Sequence, residues 1–191
     1  MLEFALEQLI AEEESLDPIG DELEQHSQYL NRCRRVQVGP AVVVVFENTR
    51  TLWLRLRELA RVARMTDPAR VNREIHWYRS LLPGPGRLLA SVSVRAAARE
   101  IVLSMDDGAI ELRVGPRRIP GLLRADAAGD RVVGLVRWAE FAVSPADEAA
   151  LADDANPLTL CAEAGGYIYE TEPLGPAVRA SLLADLSPTF T

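Results

Sequence analysis

An uninterrupted run of β-branched residues, VVVVF at residues 42–46, sets the first limit on the fold. The run is too short and too rich in valine for a helix, so it predicts a strand in the interior of a sheet. From Thr51 the apolar period changes to 3.6 residues, with Leu52 and Leu56 on one stripe, which predicts an amphipathic helix over residues 51–65. A strand is therefore followed directly by a helix in this part of the chain.

Elements of both kinds are predicted along the rest of the chain. Asp67 and Pro68 predict the N-cap and the first position of another helix, and further helices are predicted near the N-terminus, from Pro145 and from Pro176. The segments LLASVSV, IELRV and PLTLCA and residues 131–143 predict strands. The segment GPRRIPG is predicted to be irregular because of its glycine and proline residues.

The order of these elements favours an α+β fold. We predict a single domain with a mixed or antiparallel sheet, helices packed on it and an N-terminal helical segment, because the chain shows no regular βαβ rhythm and no Gly-rich phosphate turn. Residues 1–32 are predicted as an acidic helical segment. Residues 33–94 are predicted as an Arg-rich strand-helix-helix-strand unit, and residues 95–191 as a β-rich part with a C-terminal helix.

Charge is unevenly distributed, and every basic residue is arginine. Residues 1–31 hold nine acids and no base, residues 32–99 hold fourteen Arg against four acids, and residues 100–191 hold fifteen acids against seven Arg, which gives the net charge of −7. The absence of lysine excludes Schiff-base catalysis and covalent attachment of pyridoxal phosphate. A pI near 5.0 argues against nucleic-acid binding.

Other features bear on location and cofactors. No apolar run approaches the ~20 residues of a membrane span, and the acidic N-terminus is unlike a targeting leader, so we expect a cytoplasmic protein that makes no membrane contact. Cys33 and Cys161 are far apart, and the only histidines are His26 and His76. This composition predicts neither a metal site nor a cofactor.

Residues 34–94 carry an ordered pattern of Arg-Arg-Val, Gly-Pro, Phe-Glu-Asn and Thr, then an amphipathic helix, then Asp, Glu, Tyr and Leu-x-Pro. In this pattern the chain resembles the uncharacterised bacterial family called domain of unknown function 3501. The matching positions are Arg34, Arg35, Val36, Gly39, Pro40, Phe46, Glu47, Asn48, Thr51, Glu58, Arg61, Asp67, Glu74, Tyr78, Leu81 and Pro83. It resembles a divergent member, with Arg55 where Gln is usual and Gly166 where His is usual.

The resemblance implies no known activity. Members of the family are often encoded near rubrerythrin-like and iron–sulphur oxidoreductase proteins, which implies an accessory role in a redox system.

Three arginines on the predicted 51–65 helix form the first candidate binding surface. Arg57, Arg61 and Arg64 are spaced at i, i+4 and i+7, so they are predicted to line one helix face, and Glu58 is the acid of this helix. The planar guanidinium group suits carboxylates and phosphates, so the face would bind an anion or a partner protein. The other interpretation is a solvated face that is paired with the acidic N-terminal helices.

A second candidate site lies at the turn between the predicted strand and this helix. Glu47 and Asn48 end the strand, and with Thr51 and Glu58 they are predicted to form a polar cluster, to which Tyr78 is added as a match to the family pattern. Alternatively, Asn48 and Thr51 cap the helix, which leaves the acid Glu47 unexplained.

Two functions remain open. The sequence favours a non-catalytic accessory protein that binds a protein partner or a second copy of itself, with a redox or tailoring enzyme as the expected partner. The alternative is a small enzyme or binding protein that holds an anionic small molecule with Arg57, Arg61 and Arg64 and uses Glu47 or Glu58 as acid or base. No catalytic residue is assigned.

Overall fold

One antiparallel sheet organises the chain. The structure, a computed structural model, describes residues 18–94, 98–124 and 136–186, with side chains from residue 24 onward. Within these residues the elements are α1 (Pro18–Cys33), β1 (Arg35–Val38), β2 (Val42–Glu47), α2 (Thr49–Val62), α3 (Pro68–Leu81), β3 (Arg87–Val94), α4 (Arg99–Leu103), β4 (Ile110–Val114), β5 (Arg117–Leu123), β6 (Val136–Ala142), α5 (Pro145–Ala152), β7 (Leu158–Ala164), β8 (Tyr167–Glu170) and α6 (Pro176–Leu186). Of the acidic helical segment predicted over residues 1–32, residues 18–32 belong to α1 and residues 1–17 lie outside the described residues, as do residues 131–135 of the strand predicted over 131–143.

The eight strands pair in the order β1-β2-β3-β6-β5-β4-β7-β8. Strand β2, which the valine run predicts, is paired with β1 on one side and β3 on the other, so its interior position is confirmed. The two outermost strands approach each other where the Tyr167 hydroxyl reaches the turn between β1 and β2. The α+β class is confirmed, but the predicted sheet with helices packed on it is a nearly closed barrel.

The main hydrophobic core fills the interior of this barrel. Alternate residues of each strand point inward, as the period of two requires. Helices α4, α5 and α6 add Val102, Leu151, Val178 and Leu182 to the same core, so part of the helical structure packs against the inward faces of the strands.

A second core lies on the outward face of β2, β3 and β6, beneath α2 and α3. It is formed by Leu52, Leu56, Val71, Ile75, Tyr78, Leu81, Leu89 and Trp138. The predicted start of α3 is confirmed, because the Asp67 side chain accepts a hydrogen bond from the Ala69 amide and Pro68 is the first helical residue. Within the described ranges no helix has both the length and the apolar character that a membrane crossing requires.

Two sequence predictions are wrong in this part of the molecule. Helix α2 ends at Val62 instead of residue 65, because Arg64 adopts a left-handed conformation (φ 45°) and the Met65 amide bonds back to the Ala60 carbonyl at 2.9 Å. Of the segment predicted to be irregular, Gly115 and Pro116 form a turn, but residues 117–121 belong to strand β5. Its Ile119 is buried opposite Leu112 of β4, so strand pairing overrides the local signal of glycine and proline.

Candidate functional site

A buried ion pair lies between β2 and α2. The Glu47 side chain is 1% exposed, and its Oε1 accepts hydrogen bonds from Arg55 Nη2 at 2.6 Å and from Ser91 Oγ at 2.7 Å. Arg55 Nη2 also donates to Ser91 Oγ at 3.1 Å, and the guanidinium group lies 5.4 Å from the ring centre of Trp138. A residue of α2 and a residue of β3 therefore both donate to the same carboxylate oxygen, Oε1.

The second oxygen of Glu47, Oε2, is buried and has no hydrogen-bond partner among the described residues. The same is true of the Tyr78 hydroxyl and of Nδ1 of His26. Glu47, Arg55, Ser91, Tyr78 and His26 come from β2, α2, β3, α3 and α1, and we call them the Glu47 cluster. Arg55 and Ser91 bond directly to the Glu47 carboxylate, and Tyr78 and His26 lie close enough for its charge to act on their pKa values.

The surroundings of the Glu47 cluster favour the neutral forms of the Tyr78 phenol and the His26 imidazole. Burial raises the pKa of Tyr78 to about 12, with Arg55 opposing the rise and the carboxylates of Glu74 and Glu47 adding to it. Burial lowers the pKa of His26 below 6.5; Arg50 acts in the same direction, and Glu47 opposes it. At neutral pH the phenol keeps its proton and the imidazole is mostly uncharged.

Asn48 and Thr51 form the helix cap that was one of the two interpretations of these residues. The Thr51 amide donates to Asn48 Oδ1 at 3.1 Å and the Asn48 amide donates to Thr51 Oγ1 at 2.8 Å, which is a reciprocal capping box. Asn48 Nδ2 also donates to Asp185 of α6 at 3.1 Å, and Asp185 forms an ion pair with the buried Arg34. This network ties α6 to the start of α2.

The predicted arginine face does not form as a set of three. Arg57 and Arg61 lie within α2, whereas Arg64 lies beyond its end in the left-handed conformation, so the i, i+7 relation fails. Arg61 and Arg64 are exposed, as is Glu58. The acids proposed to pair with this face lie mostly before residue 18, outside the described residues, so that pairing stays a prediction.

The two outer edges of the sheet enclose a groove, which we call the seam. It lies between β1 and β8, has a volume of about 460 Å³, and is lined by Arg35, Val36, Gln37, Gly39, Glu170, Thr171, Glu172, Leu174 and Val178. At one end Tyr167 Oη accepts hydrogen bonds from the amides of Ala41 at 3.1 Å and Val42 at 3.3 Å.

Gly39 fixes the geometry at that end of the seam. Its φ is +62°, and a Cβ there would collide with the ring of Tyr169 and with the hydroxyl of Tyr167. Within the described residues, no three His, Cys, Asp or Glu side chains gather as metal ligands would, at the seam or elsewhere.

With the geometry in place, comparison with known proteins assigns a family. The family described as protein of unknown function (DUF3501) matches residues 19–186. The chain belongs to this family. The resemblance seen in the sequence is therefore confirmed. A comparison with curated proteins finds no match.

A solved structure has a similar fold. It is the 1.90 Å crystal structure of a novel protein of unknown function from Burkholderia pseudomallei K96243, with a TM-score of 0.73 and 21% sequence identity, and the match covers 94% of this chain and 95% of that one. At this identity the likeness shows the shared fold alone.

The sequence pattern of this DUF3501 protein identified some members of the Glu47 cluster and missed others. Glu47 and Tyr78 were candidates, but Arg55 and Ser91 were not. Ser91 had a usable signal, because a serine on the outward face of a buried strand needs a polar partner. Arg55 lies eight residues after Glu47, and only the packing angle of α2 on the sheet brings the two together.

Proposed function

We propose that this DUF3501 protein is a non-catalytic accessory protein that binds another protein at the seam. The observation that carries the proposal is a pair of facing sheet edges whose backbone groups are available for a further strand. An extended segment of a partner would lie between β1 and β8 and complete the barrel by β-strand addition.

The ladder geometry identifies which backbone groups face the seam. The Thr171 amide donates to the Leu160 carbonyl at 3.0 Å, and bonded residues alternate along an antiparallel strand, so Ile168 and Glu170 direct their amide and carbonyl groups away from β7. On the other edge the Phe46 amide donates to the Arg34 carbonyl at 3.0 Å, so Arg35 directs its backbone groups away from β2 in the same manner.

Two apolar side chains of β8 are exposed next to the seam. Ile168 and Tyr169 are 64% and 43% exposed, and as successive strand residues they lie on opposite faces of this edge strand. Natural proteins usually protect such edges, and apolar side chains on an open edge are typical of strands that accept a partner.

A redox or tailoring enzyme is the first partner to test. This choice rests on the family's association with oxidoreductases. The alternative use of Arg57, Arg61 and Arg64 for an anionic molecule has less support, because Arg64 does not lie on the same helix face.

The test is affinity purification of tagged protein from its native host, with seam variants and a matched control. Ile168→Asp places a charge on the edge, and Ile168→Pro removes a seam-facing amide that β7 does not use. Val62→Asp on α2 is the control, because Val62 is exposed to a similar degree (59%) and lies away from the seam.

We expect a stoichiometric partner to be lost from both Ile168 variants and retained by Val62→Asp. Binding should also protect the Ile168 and Gln37 amides from hydrogen exchange. A partner that stays bound to both Ile168 variants would refute the seam as its site, and self-association through β8 in place of a different protein would refute an accessory role.

A further inference from the structure

Four exposed arginines lie where α2 ends and α3 begins. They are Arg61, Arg64, Arg70 and Arg73. None of the four forms an ion pair with another described residue. Val62 lies between the first two of them and is 59% exposed. We call these five residues the hairpin surface, because α2 and α3 form a helical hairpin there.

The hairpin surface has an excess of positive charge. Within residues 58–73 the acids are Glu58 and Asp67, so two of the four arginine charges have no local counter-charge in the sequence. Asp67 is in addition the N-cap of α3, where its side chain accepts a hydrogen bond from the Ala69 amide. Guanidinium groups crowded in this way repel each other, so the surface favours an acidic occupant.

Helix α1 contacts the start of α2 through its last turns. The Tyr29 hydroxyl accepts a hydrogen bond from Asn48 Nδ2 at 3.3 Å, and the Arg50 guanidinium group lies 4.4 Å from the centre of the Tyr29 ring. The two helices meet here because the Phe46 amide, just before α2, donates to the Arg34 carbonyl, just after α1, at 3.0 Å.

The beginning of α1 lies toward the hairpin surface. His26 is one turn before Tyr29; burial and Arg50 lower its pKa, and Glu58 in the second half of α2 acts to raise it, in agreement with helices that run side by side in opposite directions. Pro18 precedes Tyr29 by 11 residues and Val62 follows Arg50 by 12 residues. At 1.5 Å per residue both helix ends lie about 16–18 Å from the Tyr29–Arg50 contact, so the chain enters α1 near the end of α2.

Residues 1–17, which precede α1, have the complementary composition. They hold six acids and no basic residue. Their sequence predicts a helix with an apolar stripe that consists of Leu2, Leu6, Leu9 and Ile10. A line of acids beside the stripe consists of Glu3, Glu7 and Glu14. A helix of this kind can place carboxylates on the arginines and apolar side chains on Val62 at the same time.

The length of this segment also suits the hairpin. Asp17 and Pro18 predict a break before α1, so the segment can leave the axis of α1 and turn back over α2 and α3. Sixteen helical residues span about 24 Å, and the 14 residues of α2 span about 21 Å.

We infer that residues 1–17 bind as an acidic amphipathic helix to the hairpin surface of the same chain. Because α1 tethers the segment, the contact is intramolecular, and exposed ion pairs of ordinary strength suffice to hold it. The contact is separate from the seam. It occupies arginines that the sequence suggested for an anionic molecule.

The experiment places a spin label on the N-terminal amine of the full chain. Because the chain contains no lysine, an amine-reactive nitroxide attaches at the α-amino group of residue 1 alone. We expect paramagnetic broadening of the NMR signals of amides in α2 and α3, and none at β4 and β7 on the far side of the barrel. Absence of broadening at α2 and α3 would mean that the hairpin surface is left for another molecule, and it would overturn the inference.

A mixed sample separates the same chain from a second copy. Spin-labelled protein without ¹⁵N is mixed with ¹⁵N-labelled protein without the spin label, and we expect no broadening in this mixture. Broadening of α2 and α3 in the mixture would show that the segment binds to a different molecule, contrary to the inference.

Charge variants test the ion pairs. The double variant Arg61→Gln, Arg64→Gln removes two exposed pairs and should lower the docking equilibrium about two- to thirtyfold, which reduces the broadening. The control is Arg99→Gln, because Arg99 is also exposed but lies on α4, which packs on the main core. Broadening that falls equally in the control, or that persists undiminished in the double variant, would refute the assignment.

Discussion

Replacing Arg55 by methionine tests the buried ion pair directly. The substitution keeps most of the length of the side chain but removes the only guanidinium group that is hydrogen-bonded to Glu47 among the described residues, and Glu47 would retain only Ser91 as a donor. Removal of one member of a buried pair typically costs about 3–5 kcal/mol, because the other charge stays buried. That range applies here because Glu47 is 1% exposed and cannot turn to water.

The expected loss is large enough to measure by thermal or chemical unfolding. For a chain of this length, 1 kcal/mol corresponds to a shift of about 2–4 °C, so the melting temperature of Arg55→Met should fall by about 6–20 °C. Glu47→Gln should cost less, about 1–3 kcal/mol, since Arg55 is 22% exposed and its guanidinium group can turn toward solvent.

Arg61→Ala is the control on the same helix. Arg61 is exposed, so its loss should stay within about 0.5 kcal/mol. A melting temperature for Arg55→Met within about 2 °C of the parent would contradict the reasoning, because it would mean that Glu47 does not depend on its partner. The same holds if Glu47→Gln is the more damaging of the two changes.

Two further outcomes can be checked. Tyr167→Phe should lower the free energy of unfolding by about 1–3 kcal/mol. It should also speed hydrogen exchange at the amides of Ala41 and Val42, because both donate hydrogen bonds to the Tyr167 hydroxyl. Unchanged exchange would contradict the proposed closure. Because burial raises the pKa of Tyr78 to about 12, the unfolded chain loses this proton near pH 10 while the folded chain keeps it. Stability should therefore fall as pH rises from 10 to 12, and Tyr78→Phe should show a smaller fall in denaturant unfolding.

Local signals in the sequence predicted most of the individual elements. The valine run, the Asp67-Pro68 pair and the Ser144-Pro145 pair each carry a signal within a few residues, and the structure confirms a strand and two helices there. The end of α2 was missed because the residue in the left-handed position is Arg64, and the usual signal for that position is glycine.

Long-range geometry could not be predicted in the same way. Closure of the barrel depends on Tyr167 meeting the turn at Gly39, and no local pattern relates these two positions. In the candidate site, too, one residue could be predicted from local sequence and its partner could not. Glu47 was recognisable as an acid at the end of a buried strand, whereas its partner Arg55 follows from how α2 crosses the sheet.

Closure through Tyr167 also has a consequence for how the chain folds. The hydroxyl contacts residues that are 126 and 129 positions away in the sequence, so this contact requires most of the chain to be in place first. Topologies dominated by such distant pairings fold slowly, in milliseconds to seconds. Until the contact forms, β1 and β8 are not held facing each other across a narrow groove, and the strands of two unfinished molecules can pair along these edges more readily than in the native protein. The yield of refolding should therefore fall as protein concentration rises, even where the native protein is stable.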